Sequence, residues 1–414
     1  MKKTKLIQLI LTVFLCFMLS ACGQDPSAQD AVTTPEELEP DADSPAFSVL
    51  PGESEAGETA APDETDQGES GDQEEDPKEV YIQSLLDAMS DAQLAGQMVL
   101  CACPTEDAAA LVSAVEPAGL ILFGKNIDGK TPETLSQELA QYQENSKLPL
   151  LIAADEEGGT VARISADPAF RESRFRSPRR ILAEDGAAGL IAEMKEKAQL
   201  LLSLGVNVNL APVCDLAQQE GSFMYDRALP GTLEEVCGYI GQMVSAMQEE
   251  GLGTVLKHFP GYGENGDTHT ASITDTRQQD VFYSADFLPF QAGVAAGSRG
   301  VLVSHNIVTA FDAQLPASLS KTVVDVLRLN LGQDLVAMTD DLQMDAVSGQ
   351  WTLAQAAVMA AEAGMDLILC SDGATAAAAL TEAITDGRIP RGQAEESVRR
   401  VLLWKIDLGL LSVE

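Results

Sequence analysis

A single (β/α)8 TIM-type barrel is the fold class this sequence predicts. Eight short apolar runs recur between residues 98 and 370, most too short for helices and without polar alternation, as strands buried on both faces require. Helix-compatible segments lie between them, and strand–helix alternation repeated eight times is the pattern of a barrel. Polar residues follow the runs, where a parallel barrel builds its catalytic mouth. An open doubly wound sheet is the competing architecture. It needs a glycine-rich phosphate turn after an early strand, and Gly124-Lys125-Asn126 is no such fingerprint.

The runs are 98–103, 119–123, 150–154, 206–210, 253–256, 300–303, 334–338 and 366–370. A helix over 132–144 opens with Thr131-Pro132, a capping residue followed by a proline in the first turn. Segments 186–204 and 232–251 are amphipathic, and 352–363, 375–386 and 393–408 supply the C-terminal helices.

Ahead of the barrel, Lys2, Lys3 and Lys5 precede an apolar run over 6–19, followed by Leu19-Ser20-Ala21-Cys22. A charged start, a short apolar stretch and small residues before a cysteine read as a secretory signal over 1–21. The run is short for a membrane span. The Leu-Ser-Ala-Cys box resembles the lipobox of bacterial lipoproteins. That resemblance implies cleavage before Cys22, a lipid attached to it, and a place on the extracytoplasmic face of the cell membrane. Residues 23–77 contain no Lys or Arg and many Asp, Glu, Pro, Gly and Ser, so 22–77 reads as the lipidated cysteine and a disordered acidic linker.

Residues 78–414 are then the catalytic domain. The chain carries a formal charge of −38, which argues against nucleic acid and against a protein that hugs an anionic membrane. Cys101-x-Cys103 is too close for an ordinary disulfide and has no matching pair for zinc, so no disulfide framework, metal or cofactor is expected. A monomer is expected, and no second domain after the eighth helix.

The residues after the runs make a polar cup. Asp155, Glu156 and Glu157 follow the third. Asp215 and then Asp226-Arg227 follow the fourth, and Lys257, His258, Asp267 and His269 the fifth. His305 follows the sixth, Asp340-Asp341 the seventh and Asp372 the eighth. The chain has three histidines, and two of them, His258 and His269, fall in the fifth of these loops. Carboxylates, imidazoles, a lysine and an arginine at one barrel mouth suit a hydroxyl-rich ligand.

These residues carry a family resemblance. Lys257-His258-Phe259-Pro260-Gly261, followed by Asp267-Thr268-His269, is similar to the Lys-His-Phe-Pro-Gly-His-Gly…Asp-Ser-His signature of glycoside hydrolase family 3. Within that family it resembles the β-N-acetylglucosaminidase branch. Thr339-Asp340-Asp341-Leu342-Gln343-Met344 and Asp155-Glu156-Glu157-Gly158-Gly159 resemble two further motifs of the branch. The resemblance implies a retaining exo-hydrolase acting on glycans with terminal GlcNAc, such as peptidoglycan fragments or chito-oligosaccharides. It makes Asp340 the nucleophile, His269 the acid/base and Asp267 its partner. It gives Asp155, Arg227, Lys257 and His258 the sugar's hydroxyl and acyl groups to hold. Two departures stand out: Tyr262 replaces the histidine of Gly-His-Gly, and the stretch from Gly263 to Asp267 is one residue shorter.

The chemistry agrees with the assignment. A strand-end carboxylate can attack the anomeric carbon. An imidazole, with a pKa near neutrality, can protonate the leaving oxygen and then deprotonate water. Alternatives at this stage are a phosphorylase of the same family, since a histidine acid/base does not repel phosphate, and a non-catalytic sugar-binding surface lipoprotein. Within the loop, Tyr262 is a candidate for stacking on a sugar face and Glu264 for a substitute acid, both ranked below His269. One of Asp340 and Asp341 is expected to cap a turn while the other attacks. His305 is expected at the mouth in support, and Asp372 on its rim.

Overall fold

The computed structural model describes residues 76–413. The signal segment, Cys22 and the linker up to residue 75 lie outside the described residues. Eight strands form one parallel sheet: β1 (Val99–Ala102), β2 (Gly119–Leu122), β3 (Leu151–Ala154), β4 (Val208–Asn209), β5 (Gly253–Phe259), β6 (Gly300–Val303), β7 (Val336–Thr339) and β8 (Ile368–Cys370). Neighbours along the chain are neighbours in the sheet, and β8 pairs with β1. A single parallel bridge, Met338 to Leu367, joins β7 to β8 and completes the ring. Each expected run overlaps a strand, and the open-sheet alternative is excluded. Two strands outrun their expected ends: β7 by one residue, to Thr339, and β5 by three. β5 continues to Phe259, so Lys257 and His258 stand on the strand itself, with an irregular register between Lys257 and Phe259.

The alternation of side chains along each strand sorts the apolar residues into two cores. Leu100, Ile121, Leu151, Ala153, Val255, Leu302, Met338 and Leu369 fill the barrel interior, where Val401 and Trp404 of the helix Arg391–Asp407 join them. The intervening residues, among them Cys101, Leu120, Ile152, Leu256, Val301 and Ala337, pack outward against the helices. Both faces are buried, which is why the runs lack polar alternation. A Cβ on Gly300 would lie 2.8 Å from Val255 Cγ2 and 3.2 Å from the Trp404 ring, so this strand start is bare to admit the tryptophan.

The helices begin where their caps say. Pro132–Glu144, Leu233–Glu249 and Leu353–Ala363 each start after a threonine whose hydroxyl accepts from the third backbone N–H, with the reciprocal bond completing a capping box. The helix expected over 186–204 is the second part of Pro178–Leu204: Gly186, whose φ of 65° no helical residue adopts, breaks that span in two, and the shorter helix before it was not expected. Outside the barrel the pair Thr274–Asp275 and Ile307–Val308 ties the loop after β5 to the loop after β6. Among the described residues no helix is long and apolar enough to cross a membrane.

Candidate active site

The loop after β3 is folded by its own buried acid. Asn209 on β4 grips the Glu156 backbone twice, accepting from its N–H at 3.0 Å and donating to its carbonyl at 3.1 Å. The Glu156 carboxylate accepts from the backbone N–H of Arg163 (2.9 Å) and Ile164 (2.8 Å) and from the Ser165 hydroxyl. The chain therefore doubles back and brings Arg163 Nη2 to 3.3 Å from Asp155. Gly158 makes the turn possible: at φ 100°, its Cβ would sit 2.2 Å from the Arg176 carbonyl.

Across the barrel floor runs a ladder of opposite charges. Lys257 Nζ lies 2.7 Å from Asp155 Oδ1 and 2.6 Å from Glu157 Oε1. Arg227 donates two bonds to Glu157, at 2.9 and 2.7 Å, and its Nη2 lies 3.3 Å from His258 Nε2. His258 Nδ1 is 2.7 Å from Asp215 Oδ2. A guanidinium only donates, so Nε2 of His258 accepts there and Nδ1 carries the proton shared with Asp215. Burial alone would push Asp155 and Glu157 up. Lys257 together with Arg163 at one and Arg227 at the other more than offsets it, and both carboxyls are held below their ordinary range. Burial likewise works against the Lys257 cation, and its two carboxylates more than offset it.

Asp340 follows β7. Its N–H donates to the Val303 carbonyl at 3.0 Å, and one carboxylate oxygen accepts from the Asp341 N–H at 2.9 Å. Asp341 does the capping, accepting from the Gln343 N–H at 3.0 Å. His305 is buried, and burial pulls its pKa down. Its Nε2 donates to the Asp341 carbonyl at 2.9 Å, so Nδ1 accepts from the Ser318 hydroxyl at 2.7 Å. It props the Asp340–Asp341 turn from beneath and is no part of the cavity wall, contrary to the mouth position expected from its place in the sequence.

On the loop after β5, Asp267 Oδ1 accepts from both the backbone N–H and the Nδ1 of His269, at 2.9 and 2.7 Å. The bond leaves Nε2 free. Asp340, Asp267, His269, Asp155, Arg227, Lys257 and His258 all line one cavity of about 640 Å³, within the usual range for ligand sites. Phe123, Phe223 and Met344 add apolar wall.

Three other expectations change. Tyr262 is 1 % exposed, so its ring is unavailable to a sugar face. Glu264 accepts from the Gln218 and Gln219 N–H groups at 2.8 and 3.0 Å and serves that neighbouring loop. Asp372 caps the helix Gly373–Thr385 through the Thr375 N–H. Residues not named from sequence are Arg163 and Lys197, while Asp215, expected only as one residue of the mouth, holds His258. Lys197, buried, donates to the Glu157 carbonyl at 2.7 Å. Lys197 and Asp215 meet partners 40 and 43 positions away, which no local pattern marks.

The model of the "Glycosyl hydrolase family 3 N terminal domain" matches residues 91–403. A beta-hexosaminidase of Nitrosomonas eutropha is 33% identical over 273 residues, 64% of this chain and 76% of that protein. Beta-hexosaminidase LpqI of Mycobacterium tuberculosis is 28% identical over 330 residues, 76% of this chain and 82% of that one. Among solved structures, a family 3 β-N-acetylglucosaminidase from Paenibacillus superposes with a TM-score of 0.72 at 30% identity, over 78% of this chain and 63% of that chain.

Proposed function

As the chain belongs to glycosyl hydrolase family 3, we propose that this glycoside hydrolase is a retaining exo-β-N-acetylglucosaminidase. The observation that carries the reading is the single cavity whose wall holds Asp340, the Asp267–His269 pair and the charge ladder together. Asp340 attacks the anomeric carbon as His269 Nε2 protonates the departing oxygen, leaving a glycosyl ester. His269, now neutral, takes a proton from water, which attacks the same carbon and releases Asp340. Asp267 holds Nδ1 and so sets the ring's orientation and leaves Nε2 for the proton transfer. Asp155, Arg227, Lys257 and His258 grip the terminal sugar, whose aglycone belongs to a peptidoglycan fragment or a chito-oligosaccharide.

A screen of aryl β-glycosides carrying GlcNAc, glucose or xylose, with and without phosphate, tests this. GlcNAc release independent of phosphate is expected. Glycosyl phosphate as the main product identifies a phosphorylase, and turnover of none of the three sugars sinks the enzymatic reading. For the cell, we propose lipidation at Cys22, with the acidic stretch after it as a tether holding the enzyme on the extracytoplasmic face of the membrane. Cys22→Ala should move the activity from the membrane fraction to the soluble exported fraction. Activity that stays with the membrane counts against the anchor.

A further inference from the structure

The Asp267–His269 turn is closed on itself. It sets the geometry of the pair but does not say where the pair stands. The His269 side chain is 60% exposed and that of Asp267 31%. Of residues 264–274 only Thr268, between them, is buried. Its Oγ1 lies 2.5 Å from the Tyr262 hydroxyl. Among the described residues this is the only hydrogen bond that joins residues 266–272 to the rest of the chain.

Tyr262 is itself well held. Its N–H donates to Asp215 Oδ1 at 2.7 Å, and the other oxygen of that carboxylate takes His258. Its ring stands edge-on to His258 at 5.1 Å and lies 5.8 Å from Phe223. Burial pushes its phenol well above the ordinary range, so the hydroxyl keeps its proton.

We infer that Tyr262 is a positioning residue: its hydroxyl latches Thr268 and so fixes the stand of the Asp267–His269 pair relative to the sugar held by His258. The inference rests on the reading of His269 as acid/base. Asp215 is the common root, binding the sugar-gripping imidazole with one oxygen and the latch residue's backbone with the other. Besides this bond the loop has the Phe223 ring 6.5 Å from that of His269, a contact that does not fix direction, so releasing the bond frees its register. A displacement of about 1 Å at a proton donor costs on the order of 10²-fold.

The test uses Tyr262→Phe, Thr268→Val, Thr268→Ser, the Phe/Val double variant and His269→Ala, on chitobiose and on the activated 2,4-dinitrophenyl β-N-acetylglucosaminide. The first two variants should lower kcat/KM on chitobiose by roughly 10–100-fold. They should alter kcat/KM on the activated substrate by less than about threefold, because kcat/KM reports the glycosylation step and a good leaving group needs little protonation there. Thr268→Ser should keep wild-type rates, and the double variant should be no worse than either single one, since one bond is being removed. Wild-type turnover of chitobiose by Tyr262→Phe and Thr268→Val overturns the latch. Equal losses on both substrates with a lowered Tm also overturn it, in favour of a bond that merely supports the fold. If His269→Ala itself lowers kcat/KM for both substrates alike, the acid/base reading falls and takes the latch with it. If His269→Ala discriminates and the latch variants do not, the latch alone falls.

Discussion

Replacing Asp340 with alanine should lower kcat/KM for an aryl β-N-acetylglucosaminide by on the order of 10⁴-fold or more, the scale on which covalent enzymes lose rate with their nucleophile. The carboxylate is suited to attack because little else competes for it. One oxygen is oriented by the Asp341 N–H and the side chain faces the cavity, while Asp341 takes over the capping of the turn. A 2-acetamido sugar offers a rival nucleophile, its own acyl oxygen, and a route through it needs no protein ester. Two measurements separate the routes. A 2-deoxy-2-fluoro glycoside lacks the acyl group and should leave a glycosyl adduct on the peptide that contains Asp340, visible by mass. Added azide should restore turnover to Asp340→Ala and give the α-glycosyl azide, because the small anion enters from the face the carboxylate vacated. An adduct elsewhere, or a variant that turns over like the wild type, sinks the assignment.

What sequence reading reaches here is local, and what it misses is long-range pairing. The strands were legible because burial on both faces leaves uninterrupted apolar runs. The Thr131, Thr232 and Thr352 caps are legible because a capping box is complete within four residues. The run at 253–256 stops short of its strand because a lysine and a histidine look like the start of a loop. They stay on β5 because the Lys257 cation and the His258 N–H are met across the barrel, by Asp155 at 102 positions' separation and Asp215 at 43. No periodicity carries such pairings. For the same reason Glu157 and Asp215 read only as mouth residues among many, although the first bridges Lys257 to Arg227 and the second anchors His258. The helix Phe287–Ala295 was illegible for a different cause. It follows a π-turn at Phe282–Asp286, carries Pro289, and has no polar face to mark its period.

The ladder makes the second large effect a matter of both binding and stability. Lys257→Met keeps most of the stem's volume and removes the cation that Asp155 and Glu157 share. The two buried acids then keep only Arg163 at 3.3 Å and Arg227 at 2.7 Å. Breaking a buried ion pair from one side costs about 3–5 kcal/mol, mostly through the charge left uncompensated. The pH dependence identifies the cause. In the wild type the carboxyls sit below their unfolded values, so their contribution is present above about pH 4 and is lost as the pH falls through the folded values. Lys257 sits above its unfolded value, so its contribution is present below about pH 10 and is lost as the pH rises through the folded value. Urea unfolding of the two proteins should therefore differ most between about pH 5 and 9 and converge toward both extremes. A gap of constant size across that range would mean that the loss is one of packing around the hydrocarbon stem. In activity the same substitution should raise KM for the sugar more than it lowers kcat on activated substrates if, as proposed, the ladder grips the sugar and not the leaving oxygen. The reverse split would place Lys257 in the proton transfer, and the division of labour between the strand-borne grip and the loop-borne acid would fail.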